Sequence, residues 1–145
     1  MDEKICSFCG HRTIITENLE EKIYTNLYNL IKNHGYTAFY SGGMGEFDLL
    51  CEQVVRKLKR EYPDIKLYRI MYRYKTDMEN IKNLVDEIII PDLGDVYYKK
   101  IIDIKNRWIV DMSQCVLCYI YKNYGGAYKT MQYAKKSGKT VIITN

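Results

Sequence analysis

Short apolar runs of β type alternate with longer amphipathic stretches along the chain, and that alternation admits few folds. Ile5 to Phe8 reads as a first strand ending at Gly10-His11-Arg12. Leu19, Ile23, Leu27, Leu30 and Ile31 then recur at helical spacing until Asn33-His34-Gly35. Thr37 to Tyr40 is a second strand. Phe47, Leu50, Cys51, Val54, Val55 and Leu58 form the cleanest helical stripe, which Tyr62-Pro63-Asp64 terminates. A third strand from Ile65 to Tyr72, a short polar helix around Asp77 to Asn83 and a fourth strand from Asp86 to Pro91 follow. Tyr97, Ile101, Ile104, Trp108 and Met112 mark another helix. Cys115 to Tyr121 is a fifth strand, and a helix from about Ala127 to Ser137 leads past Gly138 to a sixth, Val141 to Thr144. Strands and helices in strict alternation predict an α/β protein: a Rossmann-like three-layer sandwich with a mainly parallel sheet flanked by helices. The continuous apolar runs EIIIP and VLCYIY suit strands covered on both sides.

Residues 1–145 are expected to form a single domain, long enough to bury a core without staples. The net charge is +4, with 22 basic and 18 acidic residues interleaved. The densest basic cluster, Arg56, Lys57, Lys59 and Arg60, is flanked by Glu52 and Glu61. It therefore reads as a solvated helix face, and a nucleic-acid partner is not expected. No charged-then-apolar leader follows Met1-Asp2-Glu3-Lys4, and no run approaches a membrane span, so a soluble cytoplasmic protein is expected. Two CxxC pairs, Cys6/Cys9 and Cys115/Cys118, raise the question of a zinc site. The second pair sits in a strand, where residues three apart point to opposite faces, and about 105 residues separate the pairs. Reduced core cysteines are expected, with no metal and no cofactor.

In a parallel α/β sheet, ligands bind beyond the carboxyl ends of the strands, and three segments there have unusual content. Gly10, His11 and Arg12 could reach an anion or a base. The stretch SGGMGEFD, from Ser41 through Gly42, Gly43 and Met44 to Asp48, places three glycines before a helix whose first N–H groups lack partners. Glu46 and Asp48 at that helix start are capping residues or, in an enzyme, the general base. Gly125-Gly126 opens a second helix, with Lys129 and Thr130 in its first turn able to hold a phosphate. Two Gly-Gly loops feeding helix N-termini along one sheet edge predict a cleft lined by backbone donors.

The motifs GHR, GG-x-G-x-x-D, LK-x-x-YP-x-IKL, N-R-x-x-V-D and GG-x(3)-T-x-x-YA-x-K-x-GK occur in this order from Ile5 to Thr144. In them the chain resembles the YpsA-like branch of the SLOG superfamily, which unites the LOG and DprA/Smf proteins in one Rossmannoid fold. The resemblance implies a pocket made by Gly10, His11, Arg12, Ser41, Gly42, Gly43, Asp48, Asn106, Arg107 and Asp111, closed by Gly125, Gly126 and Thr130. It implies a nucleotide or nucleotide-derived ligand, of ADP-ribose or cyclic-nucleotide type, bound by a sensor or sponge in phage–host conflict, and a homo-oligomer. The alternative is a nucleotide N-glycosidase of LOG type. LOG enzymes carry PGGxGTxxE, however, whereas this chain has YGGAYKTMQ with no acidic residue after the glycines. Lys105 also stands where YpsA-like relatives commonly have Arg, and Ala127 where they often have Thr. Binding without hydrolysis is therefore the leading expectation, and Gly43→Val is expected to abolish it while sparing the fold.

Overall fold

The computed structural model of the chain describes residues 3–145. Six parallel strands form one sheet: β1 (Ile5–Gly10), β2 (Ala38–Ser41), β3 (Lys66–Ile70), β4 (Glu87–Ile89), β5 (Cys115–Tyr119) and β6 (Thr140–Ile143). The helices are α1 (Leu19–His34), α2 (Glu46–Lys59), α3 (Met78–Lys82), α4 (Ile101–Met112) and α5 (Gly126–Lys136). A single 3₁₀ turn, Tyr98–Lys100, leads into α4. This is the expected Rossmann-like sandwich, with every expected strand and helix present.

The strand order is β4-β3-β2-β1-β5-β6. The chain winds outward from β1 to β4, then returns to the other side of β1 at β5. The connections therefore diverge at the β1/β5 boundary, and a crevice opens there beyond the carboxyl ends of the strands. Helices α1 and α2 cover one face, where Ile23, Leu27, Phe47, Val54 and Leu58 pack on Phe8, Phe39, Leu67 and Leu117. On the other face Ile109 of α4 packs with Tyr40, Tyr68 and Ile70, and Val110 packs with Met131 and Ala134 of α5 over Cys9, Val116 and Cys118.

Gly10 is needed for this packing. A side chain there would put its Cβ 2.3 Å from the Phe47 ring, so β1 and α2 close together only over glycine. Parallel register pairs Cys6 with Cys115 and Cys9 with Cys118. Each CxxC thus sends one sulfur to each face of the sheet. Among the described residues no three His, Cys, Asp or Glu side chains gather to hold a metal.

Two features of the packing are not what the residue pattern suggests. The inward stripe of α4 is Lys105, Ile109 and Val110. Ile101, Ile104 and Trp108 are only half-buried, and Met112 and Tyr97 are exposed. A charged residue on the covered side made the apolar residues of the neighbouring side look like the core stripe. Glu52, read as part of a solvated face, is 1% exposed. It turns toward β3, where Arg69 Nε and Nη2 donate to its two carboxylate oxygens at 2.6 and 2.7 Å. The basic cluster beside it is also engaged: Lys57 pairs with Glu20, and Lys59 with Asp86.

Candidate functional site

The glycine-rich loop after β2 is held from below. Ser41 Oγ donates to Glu52 at 2.6 Å, and Gly43 N–H donates to Ser41 Oγ at 3.1 Å. Gly43 has φ +66°, and a Cβ there would lie 2.5 Å from the Arg69 side chain. Gly43 is glycine, then, because the Arg69–Glu52 pair passes beneath it. Gly45 (φ +96°) serves a second close approach, to the Arg12 backbone, and Glu46 N–H donates to Arg12 O at 2.8 Å. The Glu46 carboxylate returns the contact by accepting from Ile14 N–H at 2.6 Å. Asp48 folds back to accept from Met44 N–H at 3.1 Å. The N–H groups of Gly43, Met44 and Glu46 are therefore all engaged within the protein. This corrects the expectation that the first glycine loop is a ready cradle of free donors: the Asp48 carboxylate already occupies its mouth.

Behind the loop lies a cavity of about 390 Å³, at the low end of the usual range for small-molecule sites. Gly10, His11, Arg12, Gly42, Met44, Asp48, Asn106, Gly126 and Thr130, all expected at the site, line it. Lys105, Lys122, Tyr121 and Ser7 also line it and were not expected. Lys105 dominates the interior. It is 2% exposed, and its Nζ donates to Gly42 O at 3.3 Å and approaches Met44 Sδ at 3.4 Å. It is in no ion pair among the described residues. Burial pushes its pKa down to about 8, and the positive fields of Lys75, Arg69 and Arg12 add to this against the opposing pull of Asp48. Burial likewise pushes Asp48 up to about 7, against the Met44 N–H and the Lys105 charge. The cavity thus holds an acid and a base that both titrate near neutrality.

At its outer side the cavity meets the start of α5. No acidic residue stands in the first turn of that helix and no side chain caps it. Its positive end is therefore uncompensated, and Arg12 and Lys122 lie on the same rim. Thr130 Oγ bonds inward to Gly126 O at 2.9 Å. His11 is buried, which lowers its pKa, and its Nε2 accepts Lys122 N–H at 3.1 Å. Only the other ring nitrogen of His11 is left for a ligand.

Several expected residues sit elsewhere. Ser41 and Gly43 lie under the loop, in the Glu52 network. Glu46 holds the Ile14 backbone, and Gly125 and Lys129 do not line the cavity. Arg107 is on the outer side of α4, 3.5 Å from Asp103 and over the Tyr133 ring. Asp111 accepts from the Tyr133 hydroxyl at 2.6 Å. These two residues fasten α4 to α5. The N-R-x-x-V-D motif faces the cavity through Asn106 and through Lys105 just before it. The signal for Lys105 was its spacing, four residues before Ile109 on the covered side of the helix.

No protein-family model and no curated protein matches the chain. Solved structures do. DNA processing protein A (DprA) from Streptococcus pneumoniae superposes with a TM-score of 0.70 at 12% identity, over 97% of this chain and 50% of that one. The molybdenum cofactor binding protein from Rippkaea orientalis gives 0.65 at 23% identity, over 99% and 77%. The molybdenum cofactor carrier protein from Chlamydomonas reinhardtii gives 0.61 at 13%, over 98% and 76%. The chain shares the Rossmann-like α/β fold of these proteins. It spans half the length of the pneumococcal DprA chain, and the likeness to all three is one of fold.

Proposed function

We propose that this chain binds a nucleotide or nucleotide-derived small molecule in the cavity between β1, α4 and the start of α5. The observation that carries this reading is the set of positive groups converging there. Lys105 is buried and outside any ion pair among the described residues, and Arg12, Lys122 and the uncapped end of α5 share the rim. A buried charge without a paired carboxylate is costly, and an anionic ligand would relieve that cost. Two proteins of the same fold, named as a binding protein and a carrier for the molybdenum cofactor, support small-molecule binding by this fold. With no acidic residue after Gly125-Gly126, the ligand is held rather than cleaved. The YpsA-like resemblance extends the reading to a cytoplasmic sensor or sponge for an ADP-ribose-type or cyclic nucleotide in phage–host conflict. Native mass spectrometry of protein purified from cells tests it: a co-purified phosphorylated ligand is expected, displaced in Lys105→Met. Protein that carries no such ligand, and binds no nucleotide in calorimetry, overturns it.

One observation favours a second reading, a nucleotide N-glycosidase. Asp48, titrating at about 7 beside Lys105, has the properties of a general acid or base. Chromatography after incubation with nucleotides separates the two, because only the enzyme releases a free base. Nucleic acid stays outside the proposal although DprA shares the fold, since Lys57 and Lys59 are engaged in ion pairs. Retention of a labelled oligonucleotide at physiological salt would reverse that. The half-buried stripe Ile101, Ile104 and Trp108 supports a homodimer through α4, which light scattering measures.

A further inference from the structure

Ser7 stands alone in the interior. It is 1% exposed, and among the described residues its Oγ is the buried side-chain polar atom without a hydrogen-bond partner. It lies mid-strand in β1, flanked in register by Tyr40 and Val116, and it lines the same cavity as Lys105. Alternation along the strand turns Ser7 and Cys9 to one face. Cys9 has a partner, donating to Ala127 O at 3.1 Å, and His11 accepts from Lys122 N–H. Native interiors rarely leave a hydroxyl unpaired, and an exception points to a role.

The cavity has two chemically different ends. The rim carries His11, Arg12, Lys122 and the start of α5, all beyond the strand ends. Lys105 Nζ and Asp48 meet the loop just past the end of β2, at Gly42 and Met44, and below them, at the inner end, the lining residues Ser7, Cys9, Ile109 and Val110 are uncharged. Ser7 lies three residues below Gly10, about 10 Å along an extended strand. That depth is comparable to the reach of a nucleotide from phosphate to base. We infer that the inner end seats the uncharged ring of the ligand, the base of a nucleotide whose phosphate stays at the rim, and that Ser7 Oγ hydrogen-bonds the edge of that ring. This rests on the nucleotide reading above and adds the ligand's orientation and a residue that reads its base. Serine both donates and accepts, so it selects for a ring with a polar edge over a purely apolar one.

The experiment compares wild type with Ser7→Ala by thermal unfolding without ligand, and by calorimetry with the four common ribonucleoside 5′-monophosphates and with ribose 5-phosphate as a base-free control. Without ligand, Ser7→Ala melts at the same temperature as wild type or higher, because an unpaired buried hydroxyl is lost. At least one nucleotide binds wild type more tightly than ribose 5-phosphate. Ser7→Ala weakens that nucleotide about five-fold, an ordinary hydrogen bond's worth, and leaves ribose 5-phosphate unchanged. A lower melting temperature in Ser7→Ala means that the hydroxyl has a structural partner, and the inference falls. Equal affinity of wild type for nucleotides and ribose 5-phosphate, or an equal loss for both in the variant, also overturns it while leaving the anion site standing. If wild type binds none of these probes the inference falls, and the nucleotide reading falls with it when ADP-ribose and cyclic nucleotides also fail to bind.

Discussion

Lys105 and Asp48 are the two buried ionisable side chains of the candidate site, and their chemistry sets opposite pH windows. Asp48 has a folded pKa of about 7, against about 3.9 in an unfolded chain. Between those values the folded protein binds more protons, so stability falls as pH rises from 4 to 7, by about 4 kcal/mol from this group. Lys105, with a folded pKa of about 8, acts the other way: above pH 8 the unfolded chain holds more protons, and stability recovers toward pH 10. Asp48→Asn keeps the acceptor for Met44 N–H and removes the titration. Urea titrations should show wild type losing stability relative to this variant from pH 4 to 7; parallel curves would mean that Asp48 is solvated. For ligand binding the same groups predict that an anion binds more tightly as pH falls from 8 to 6, as Lys105 gains its charge and Asp48 loses its own. Lys105→Met should weaken that binding at least ten-fold, a charge-assisted bond of about 1.5 to 3 kcal/mol, with Lys105→Arg retaining part of it. In the absence of ligand, Lys105→Met should be as stable as wild type or more so, because a buried unpaired charge is gone.

The loop between β2 and α2 shows how elements, rather than single residues, hold a site. Arg69 comes from β3, Glu52 from α2 and Ser41 from the end of β2, and their chain of hydrogen bonds ends on Gly43 N–H. Removing one partner of this buried pair should be severe: Arg69→Met is expected to cost about 3 to 5 kcal/mol, because Glu52 loses both guanidinium donors and keeps only the half-exposed Arg56, 3.7 Å away. The double variant Glu52→Leu/Arg69→Met should recover part of that stability in urea unfolding; additive losses would show the pair contributes nothing as a pair. Gly43→Val belongs with these. The expectation that it spares the fold does not survive the 2.5 Å approach of Arg69, and the variant should lower the melting temperature by several degrees as well as disturb the loop. On the other side of the cavity, Tyr119 and Tyr121 tie down the segment after β1. The Tyr119 hydroxyl accepts Ile15 N–H at 3.0 Å and bonds Thr16 Oγ1 at 2.8 Å, and the Tyr121 hydroxyl donates to Thr13 O at 2.7 Å. Both tyrosines come from β5, or just after it, so the strand that creates the crevice also braces its lip.

Across the whole molecule, the sheet order puts β1 and β5 side by side and places the cavity at their divergence. The same pairing brings the two CxxC segments together in register with their sulfurs split between the faces, so a chelator should leave the melting temperature unchanged; a fall would reveal a metal that the register does not accommodate. The period of the apolar residues was enough to determine the six strands, the flanking helices and their order, because burial on one face of a helix or both faces of a strand is written directly as spacing. The glycine motifs likewise marked strand ends beside which the cavity opens. What they could not convey is which polar groups would already have partners. Glu46 and Asp111 find theirs on segments distant in sequence, Gly43 N–H and Asp48 within the folded loop itself, and Arg107 across its helix and on Tyr133, and hydrogen-bond satisfaction is a property of the folded neighbourhood. Lys105 and Ser7 were missed for the converse reason. A lysine in a helix and a serine in a strand look ordinary until packing takes away their water, and only the tertiary structure decides where water is excluded.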